Sequence, residues 1–203
     1  GNRELYTYLV DGLSLEYLRP DGTVGYAPVR IVDFDEPSAN DWLVVNQLTV
    51  KEQGHTRRPD VVVFVNGLPL ALIELKNPTD EEATIWAAFH QLQTYKDELP
   101  SLFVFNALLL ISDGIDARIG TISSNRERYA PWRTIEGEEL APPAMPKLEV
   151  MLRGVFDQRR FLDLLRYFVV YEADDDGVVK KLAGYHQFHA VGRAVEATVA
   201  ASQ

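Results

Sequence analysis

The sequence predicts an α/β protein in which a mixed β-sheet is flanked by helices and followed by a C-terminal helical extension. Two nearly uniform apolar runs, VVVFV and LPLALIEL, meet at Asn66-Gly67, which is a strong signal for a β-hairpin. A helical pattern follows, and then another apolar run, LFVFNALLLIS. This alternation of strand, helix and strand indicates an α/β sheet with at least one parallel pair of strands.

Length, charge and residue usage limit the classes of function. The chain has 203 residues, 46% of them hydrophobic, which is enough to bury a core. No apolar run reaches the roughly 18 residues of a membrane span, so no membrane partner is expected. The absence of cysteine excludes thiolate metal sites and is compatible with a cytoplasmic location. The net charge of −10 argues against nucleic-acid binding through bulk charge, but a carboxylate cluster that holds cations is itself negative.

The segments before the apolar hairpin are predicted to be strands. DGLSLEYL and VGYAPVRIVDF flank a turn signal at residues 19–22 and predict a long hairpin. DWLVVNQLTV is a third predicted strand, and the polar segment KEQGHTRRP is expected to connect it to the apolar hairpin. Because the two apolar runs lack polar alternation, both faces of the sheet should be covered.

A helix is predicted directly after the hairpin. Thr79 and Glu82 have the spacing of a capping box, and Pro100 would end the helix near Leu99. Its apolar stripe has helical spacing and consists of Ile85, Ala88, Phe89, Leu92, Tyr95 and Leu99. LFVFNALLLIS and ARIGTISS then predict two more strands, and Asp113 in the turn after the first is expected to be a turn cap.

The character of the sequence changes in the last third. Residues 125–146 are rich in proline and predicted to be irregular, whereas LEVMLRGVF, RRFLDLLRYFVVYE and YHQFHAVGRAVEATVAAS predict helices. We therefore divide the chain near residue 145, into a core of residues 1–145 and a helical segment of residues 146–203.

Three charged residues gather at the open end of the apolar hairpin. Glu74 and Lys76 are two apart and share one face of their strand. With a two-residue loop and regular pairing, Asp60 would face Ile73 and lie on the face opposite Glu74. A three-residue loop or a bulge would place Asp60 directly opposite Glu74, with about 5 Å between the Cβ atoms. A site at this end therefore predicts an odd-length turn or a bulge.

Two carboxylates at that separation repel each other unless they share a proton or a cation. Oxygen ligands without histidine favour Mg²⁺, with Mn²⁺ as a substitute, and the backbone carbonyl of Leu75 could supply another oxygen. Lys76 could hold a metal-activated water and help to deprotonate it, which suits hydrolysis of a phosphodiester. The alternative is that these are ordinary charges at strand ends, since the same spacing also occurs by chance.

Pro59-Asp60 and Glu74-Leu75-Lys76 resemble the PD-(D/E)xK nuclease superfamily. Gln91 and Tyr95 in QLQTY are similar to the QxxxY motif of its RecB-like branch. Longer blocks, spread from about residue 5 to 195, resemble the restriction (R) subunit of type I restriction-modification enzymes. These blocks are VRIVDF, NDWLVVNQLTV, RRPDVVVFVNGLPLALIELKNP, QTYKDELPSLFVFNALLLISDG and YHQFHAV.

The resemblance implies a restriction-endonuclease-like fold and Mg²⁺-dependent endonucleolytic cleavage of double-stranded DNA. It implies that Asp60, Glu74 and Lys76 are the catalytic residues, with Gln91 and Tyr95 as accessory residues. Asp60, Glu74 and the Leu75 carbonyl would be the metal ligands. Residues 1–145 would form the endonuclease core, and residues 146–203 would lead towards a motor domain.

In that family the nuclease is joined to an ATP-driven translocase and works with modification and specificity subunits. The sequence has no Gly-x-x-x-x-Gly-Lys-Ser/Thr phosphate loop, so ATP binding is expected only of a full-length subunit. We therefore expect a fragment trimmed at both ends, without the family's N-terminal helical region and with weak activity or none alone.

Two other functions stay open at this point. One is a different enzyme of the superfamily, such as a RecB-like repair nuclease or a junction resolvase. The other is a catalytically silent DNA-binding or assembly module that keeps only the fold. Arg57 and Arg58 precede Asp60 and could contact DNA phosphates, or could belong to an ordinary solvated loop.

Overall fold

A computed structural model describes residues 1–79, 84–174 and 177–202 of the chain. It contains five helices and eleven strands within these residues. In chain order they are α1 (Asn2–Asp11), β1 (Leu13–Leu18), β2 (Val24–Val29), β3 (Trp42–Asn46), β4 (Val50–Glu52), β5 (His55–Arg57), β6 (Val61–Val65), β7 (Leu68–Leu75), α2 (Ile85–Glu98), β8 (Leu108–Ser112), β9 (Ala117–Gly120), α3 (Lys147–Val155), α4 (Gln158–Tyr167), β10 (Val169–Asp174), β11 (Gly177–Leu182) and α5 (Tyr185–Ala201).

A five-stranded mixed sheet forms the centre, in the order β3-β6-β7-β8-β9. β7 and β8 are parallel and are joined through α2, whereas the other neighbouring pairs are antiparallel. One face of the sheet packs against α2, and the other packs against α1, α3 and α4. The predicted α/β class, the parallel pair and the covering of both faces are thus confirmed.

The hairpin of β6 and β7 changes its register partway along. Asn66 and Gly67 form a two-residue turn with φ values of 50° and 79°, as a type I′ turn requires. Phe64 pairs with Pro69, but the next pair along is Val63 with Ala71, which leaves Leu70 as an extra residue in β7. Proline cannot donate a ladder hydrogen bond, so a bulge beside it is physically reasonable. The bulge that a site requires is therefore present.

Two segments near the front of the chain differ from the prediction. A helix, α1, precedes β1 and buries Tyr6 and Leu9 in the core, although an N-terminal helical region was expected to be lacking. The polar segment KEQGHTRRP is more than a connector, because β4 and β5 form a small hairpin within it. Its turn is possible because Gln53 and Gly54 adopt left-handed backbone conformations.

The helices also begin and end differently from the prediction. α2 begins at Ile85 with Thr84 as its cap, and the Thr79 side chain instead donates to Asn77; Glu82 lies outside the described residues. RRFLDLLRYFVVYE is only partly helical, because α4 ends at Tyr167 and the β-branched residues after it form β10, which pairs with β11. The start of LFVFNALLLIS is likewise a 3-10 turn and loop rather than strand.

The segment after residue 145 packs on the same core as the segment before it. Met151 and Phe161 belong to one apolar cluster with Val63 and Leu110 of the sheet. The division at residue 145 stays a prediction. Within the described part of the chain, no helix has the length and apolar character needed to cross a membrane.

Candidate active site

The bulge brings the two acidic residues of the hairpin onto one face. Val61 pairs with Ile73, so the next residues outward, Asp60 and Glu74, lie opposite each other. Asp60 Oδ2 accepts a hydrogen bond of 2.8 Å from the backbone N–H of Leu75. The carboxylate of Asp60 is thus bound to the strand that carries Glu74.

Glu74 is a buried acid with one oxygen unsatisfied. It is 3% exposed, and Oε1 accepts a 2.9 Å hydrogen bond from Lys76 Nζ. Oε2 is also buried and has no hydrogen-bond partner among the residues that the structure describes. Burial raises the pKa of Glu74; the ammonium of Lys76 opposes this, and the negative charge of Asp60 adds to it. Such an oxygen is costly unless a further partner binds it.

Helix α2 contributes Tyr95 to the same face of the sheet as Glu74. Burial raises the pKa of the Tyr95 hydroxyl, and the negative charges of Glu74 and Asp60 raise it further. The closeness of the hydroxyl to the Glu74 carboxylate adds to the rise, although the two groups are not placed for a direct hydrogen bond. Gln91 is one turn earlier on the same helix, and its half-buried side chain forms no hydrogen bond with another described residue. The accessory role of both residues stays a prediction.

The start of α2 is anchored at the site edge of the sheet. Asp113 follows β8 directly, and its Oδ2 accepts a 3.1 Å hydrogen bond from the N–H of Ile85, the first residue of the helix. Its Oδ1 accepts from Ile115 and Asp116, as expected of a turn cap. Asp113 therefore holds the helix against the edge where β7 and β8 both end.

Gln47 also contacts the site, and the sequence analysis did not identify it. Its backbone N–H donates to the carbonyl of Asp60 at 2.8 Å, and its side-chain Nε2 donates to Asp60 Oδ1 at 2.5 Å. The two residues are 13 positions apart and are separated by the β4–β5 hairpin. No local pattern in the sequence indicates this contact, because it depends on how residues 47–60 return to the sheet.

The two arginines before Asp60 have different surroundings. Arg57 forms hydrogen bonds through Nε and Nη2 to the two carboxylate oxygens of Glu98, near the end of α2. Arg58 is exposed. A DNA contact by either residue stays a prediction, and Arg57 has a structural partner in addition.

The donor set fits a hard divalent cation. The described residues contain no group of three or more His, Cys, Asp or Glu side chains placed to hold a metal ion. Asp60 and Glu74, which lie opposite each other, could supply two carboxylates, and Glu74 Oε2 has no hydrogen-bond partner among the described residues. The N–H of Leu75 faces Asp60, and the carbonyl of a strand residue points to the same side as its N–H. Mg²⁺ commonly takes one or two carboxylates and keeps several waters, which matches this set.

Together, the fold and the site define an α/β protein with a restriction-endonuclease-like mixed sheet that carries an Asp…Glu-x-Lys set at one edge. A sequence model of the family described as "Type I restriction enzyme R protein N terminus" matches residues 1–128. The chain belongs to this family.

Several curated relatives are named as endonuclease subunits of type I restriction enzymes. The chain is 41% identical over 202 residues to the type I restriction enzyme HindI endonuclease subunit of Haemophilus influenzae, covering 98% of this chain and 19% of that protein. It is 29% identical over 213 residues to the putative type I restriction enzyme MjaIXP endonuclease subunit of Methanocaldococcus jannaschii, covering 96% and 20%. The chain thus spans about a fifth of the length of these relatives.

Proposed function

We propose that the chain is the nuclease part of a type I restriction enzyme R subunit and cleaves double-stranded DNA in a Mg²⁺-dependent reaction. The observation that carries the proposal is the unsatisfied, buried oxygen of Glu74, opposite Asp60 and beside Lys76. The names of the relatives support the proposal, because they are endonuclease subunits of type I restriction enzymes.

Each residue of the set has a separate task in this proposal. Asp60 and Glu74 would hold the cation, together with the carbonyl of Leu75. Lys76 reaches the site from the same strand face as Glu74, where its ammonium can orient the attacking water and offset the charge that develops on the phosphate. A bound Mg²⁺ would supply Lewis-acid polarisation of the phosphate and a lower pKa for its water. Tyr95 and Gln91 would border the site from α2.

The activity of the whole enzyme exceeds what this chain contains. We propose that ATP-driven translocation belongs to the remaining four fifths or so of a full-length subunit, and that modification and specificity subunits are its partners. We also propose a cytoplasmic location for the complex. The DNA sequence recognised would then be set outside this chain.

Cleavage by the complete enzyme tests the proposal. Asp60→Ala or Lys76→Ala, assayed on a plasmid with Mg²⁺, ATP and the partner subunits, is expected to lower cleavage by about 10²–10⁴-fold or more. Asp21→Ala is the matched control, because Asp21 lies in the exposed turn between β1 and β2, and it should cleave like the wild type. Full cleavage by either site variant would favour a catalytically silent binding module instead.

A further inference from the structure

Gln47 and Asp60 close the base of a chain excursion beside the site. Asn46, the last residue of β3, pairs with Val61, the first residue of β6. The chain between them forms the β4–β5 hairpin. The N–H of Gln47 donates to the carbonyl of Asp60 at 2.8 Å, directly beyond that last pair. Residues 47–60 therefore leave and rejoin the sheet at the residue that is proposed to bind metal.

The side chain of Gln47 turns back to the carboxylate of Asp60. Its Nε2 donates to Oδ1 at 2.5 Å, while the N–H of Leu75 donates to Oδ2 at 2.8 Å. Asp60 is thus held from both sides, by one donor from the end of β3 and one from β7. A carboxylate has about four acceptor positions, so both oxygens can still bind a cation.

The backbone of Gln47 is in an unfavourable conformation for its residue type. Its φ is 53°, in the left-handed region, which costs a non-glycine residue about 1–2 kcal/mol. Glycine or asparagine would fit this conformation better, but glycine has no side chain and asparagine is one methylene shorter. Gln53 has the same conformation, with φ 50°, at the exposed turn of the β4–β5 hairpin, and its side chain forms no hydrogen bond with another described residue.

We infer that Gln47 is a positioning residue, which orients the Asp60 carboxylate towards the cation. This inference rests on the proposed metal-dependent function. Loss of Gln47 would leave Oδ1 without its donor, so the Asp60 carboxylate could rotate away from Glu74. Partners that orient metal ligands in this way typically change metal affinity by about 10–100-fold.

Calorimetric titration of Mn²⁺ into the 203-residue chain tests the inference, with Gln53→Ala as the matched control. Gln47→Ala is expected to bind Mn²⁺ about 10–100-fold more weakly than the wild type, and Gln53→Ala to bind it equally well. Both variants place alanine in the same left-handed conformation, but only Gln47→Ala also removes a hydrogen bond to Asp60, so its melting temperature without metal should fall more than that of Gln53→Ala. A merely structural role for Gln47 would lower the melting temperature and leave the Mn²⁺ affinity unchanged, which would overturn the inference.

A metal-free measurement checks the contact itself. In ¹H–¹⁵N spectra, the side-chain amide signal of Gln47 is expected to move in Asp60→Ala and to stay in place in Asp21→Ala. If the Gln47 signal does not move in Asp60→Ala, the inference is overturned, independently of the measured Mn²⁺ affinities. If the wild-type chain binds no Mn²⁺, the proposed metal-dependent function fails and this inference fails with it. If the wild type binds Mn²⁺ and Gln47→Ala binds it equally, only this inference fails.

Discussion

Glu74 and Lys180 are charged side chains buried to nearly the same degree, at 3% and 1% exposure, yet their surroundings are opposite in kind. Glu74 lies at the end of a strand beside another acid, and one of its oxygens has no hydrogen-bond partner within the described part of the chain. Among the described residues Lys180 forms no ion pair with a carboxylate, and its ammonium donates to the carbonyl of Asn106 at 2.8 Å and to Oδ1 of Asn2 at 3.3 Å.

Aromatic rings complete the environment of Lys180. Its Nζ lies 4.2 Å from the ring centroid of Tyr6 and 5.5 Å from that of Tyr171, and both rings present favourable electrostatics to a cation. Burial nevertheless lowers the pKa of Lys180 to about 7. The lysine connects α1, the loop before β8 and the β10–β11 hairpin, and its ammonium finds acceptor oxygens and aromatic rings within the protein.

The difference separates a structural charge from a functional one. A buried charge that the fold satisfies contributes to packing and holds elements together. A buried charge that the fold leaves unsatisfied costs stability, and such costs are characteristic of sites that bind something else. Glu74 belongs to the second kind and Lys180 to the first, which leads to three predictions of decreasing size.

The largest effect is expected at Lys180, as a dependence of stability on pH. An unfolded lysine keeps its proton up to about pH 10.4, whereas folded Lys180 loses it above about pH 7. The unfolded state then binds more protons, so the free energy of unfolding should rise by about 2 kcal/mol between pH 7 and pH 9 from this group. Below pH 7 both states are protonated and the contribution is constant.

Urea denaturation of the wild type and Lys180→Met at pH 7, 8 and 9 measures this effect. The free energy of unfolding of Lys180→Met should lack the part of the rise between pH 7 and pH 9 that comes from this lysine. Lys96→Met is the control, because burial lowers the pKa of Lys96 to about 8 and its contribution should begin one pH unit higher. Parallel profiles for the wild type and Lys180→Met would contradict the assignment of Lys180 as a buried, titrating lysine.

A smaller effect, of opposite sign with respect to pH, is expected at Glu74. In metal-free buffer, Glu74→Gln removes a buried charge and its repulsion with Asp60, so it should stabilise the fold by about 1 kcal/mol, or about 2–4 °C in melting temperature. The pKa of Glu74 is raised, so above about pH 4.3 the native state holds this proton more tightly than the unfolded state does. The free energy of unfolding of the wild type should therefore fall as the pH rises above about 4.3, whereas that of Glu74→Gln should show no such fall. Excess Mn²⁺ should raise the melting temperature of the wild type but not of the variant. Equal responses to Mn²⁺ would remove Glu74 from the metal site.

The smallest effect is expected at Arg57, which provides a baseline for a satisfied charge at the surface. Its ion pair with Glu98 connects β5 to α2, but the Arg57 side chain is 38% exposed and solvent screens the interaction. Arg57→Ala should lower the melting temperature slightly, more at low salt than at high salt, while Arg58→Ala should leave it unchanged. A loss as large as that of a buried group would show that the β4–β5 hairpin depends on this pair.

Much of the fold around the site was predictable from local patterns. The turn at Asn66-Gly67, the apolar strands on either side and most of α2 follow from residue type and spacing. The start of α2 was wrong by several residues because Thr84, rather than Thr79, is the cap. The β10–β11 hairpin was missed because FVVYE continues an amphipathic helix pattern, and only its pairing with the next strand decides otherwise.

The sequence by itself determined the composition of the site: an acid before one apolar strand, and an acid and a lysine two residues apart at the end of the next. It also restricted the geometry to two registers, since strand side chains alternate. Only the tertiary structure decided which register holds, through the extra residue Leu70 beside Pro69. It also decided that Gln47 reaches Asp60, since that contact joins chain segments whose approach no local propensity encodes.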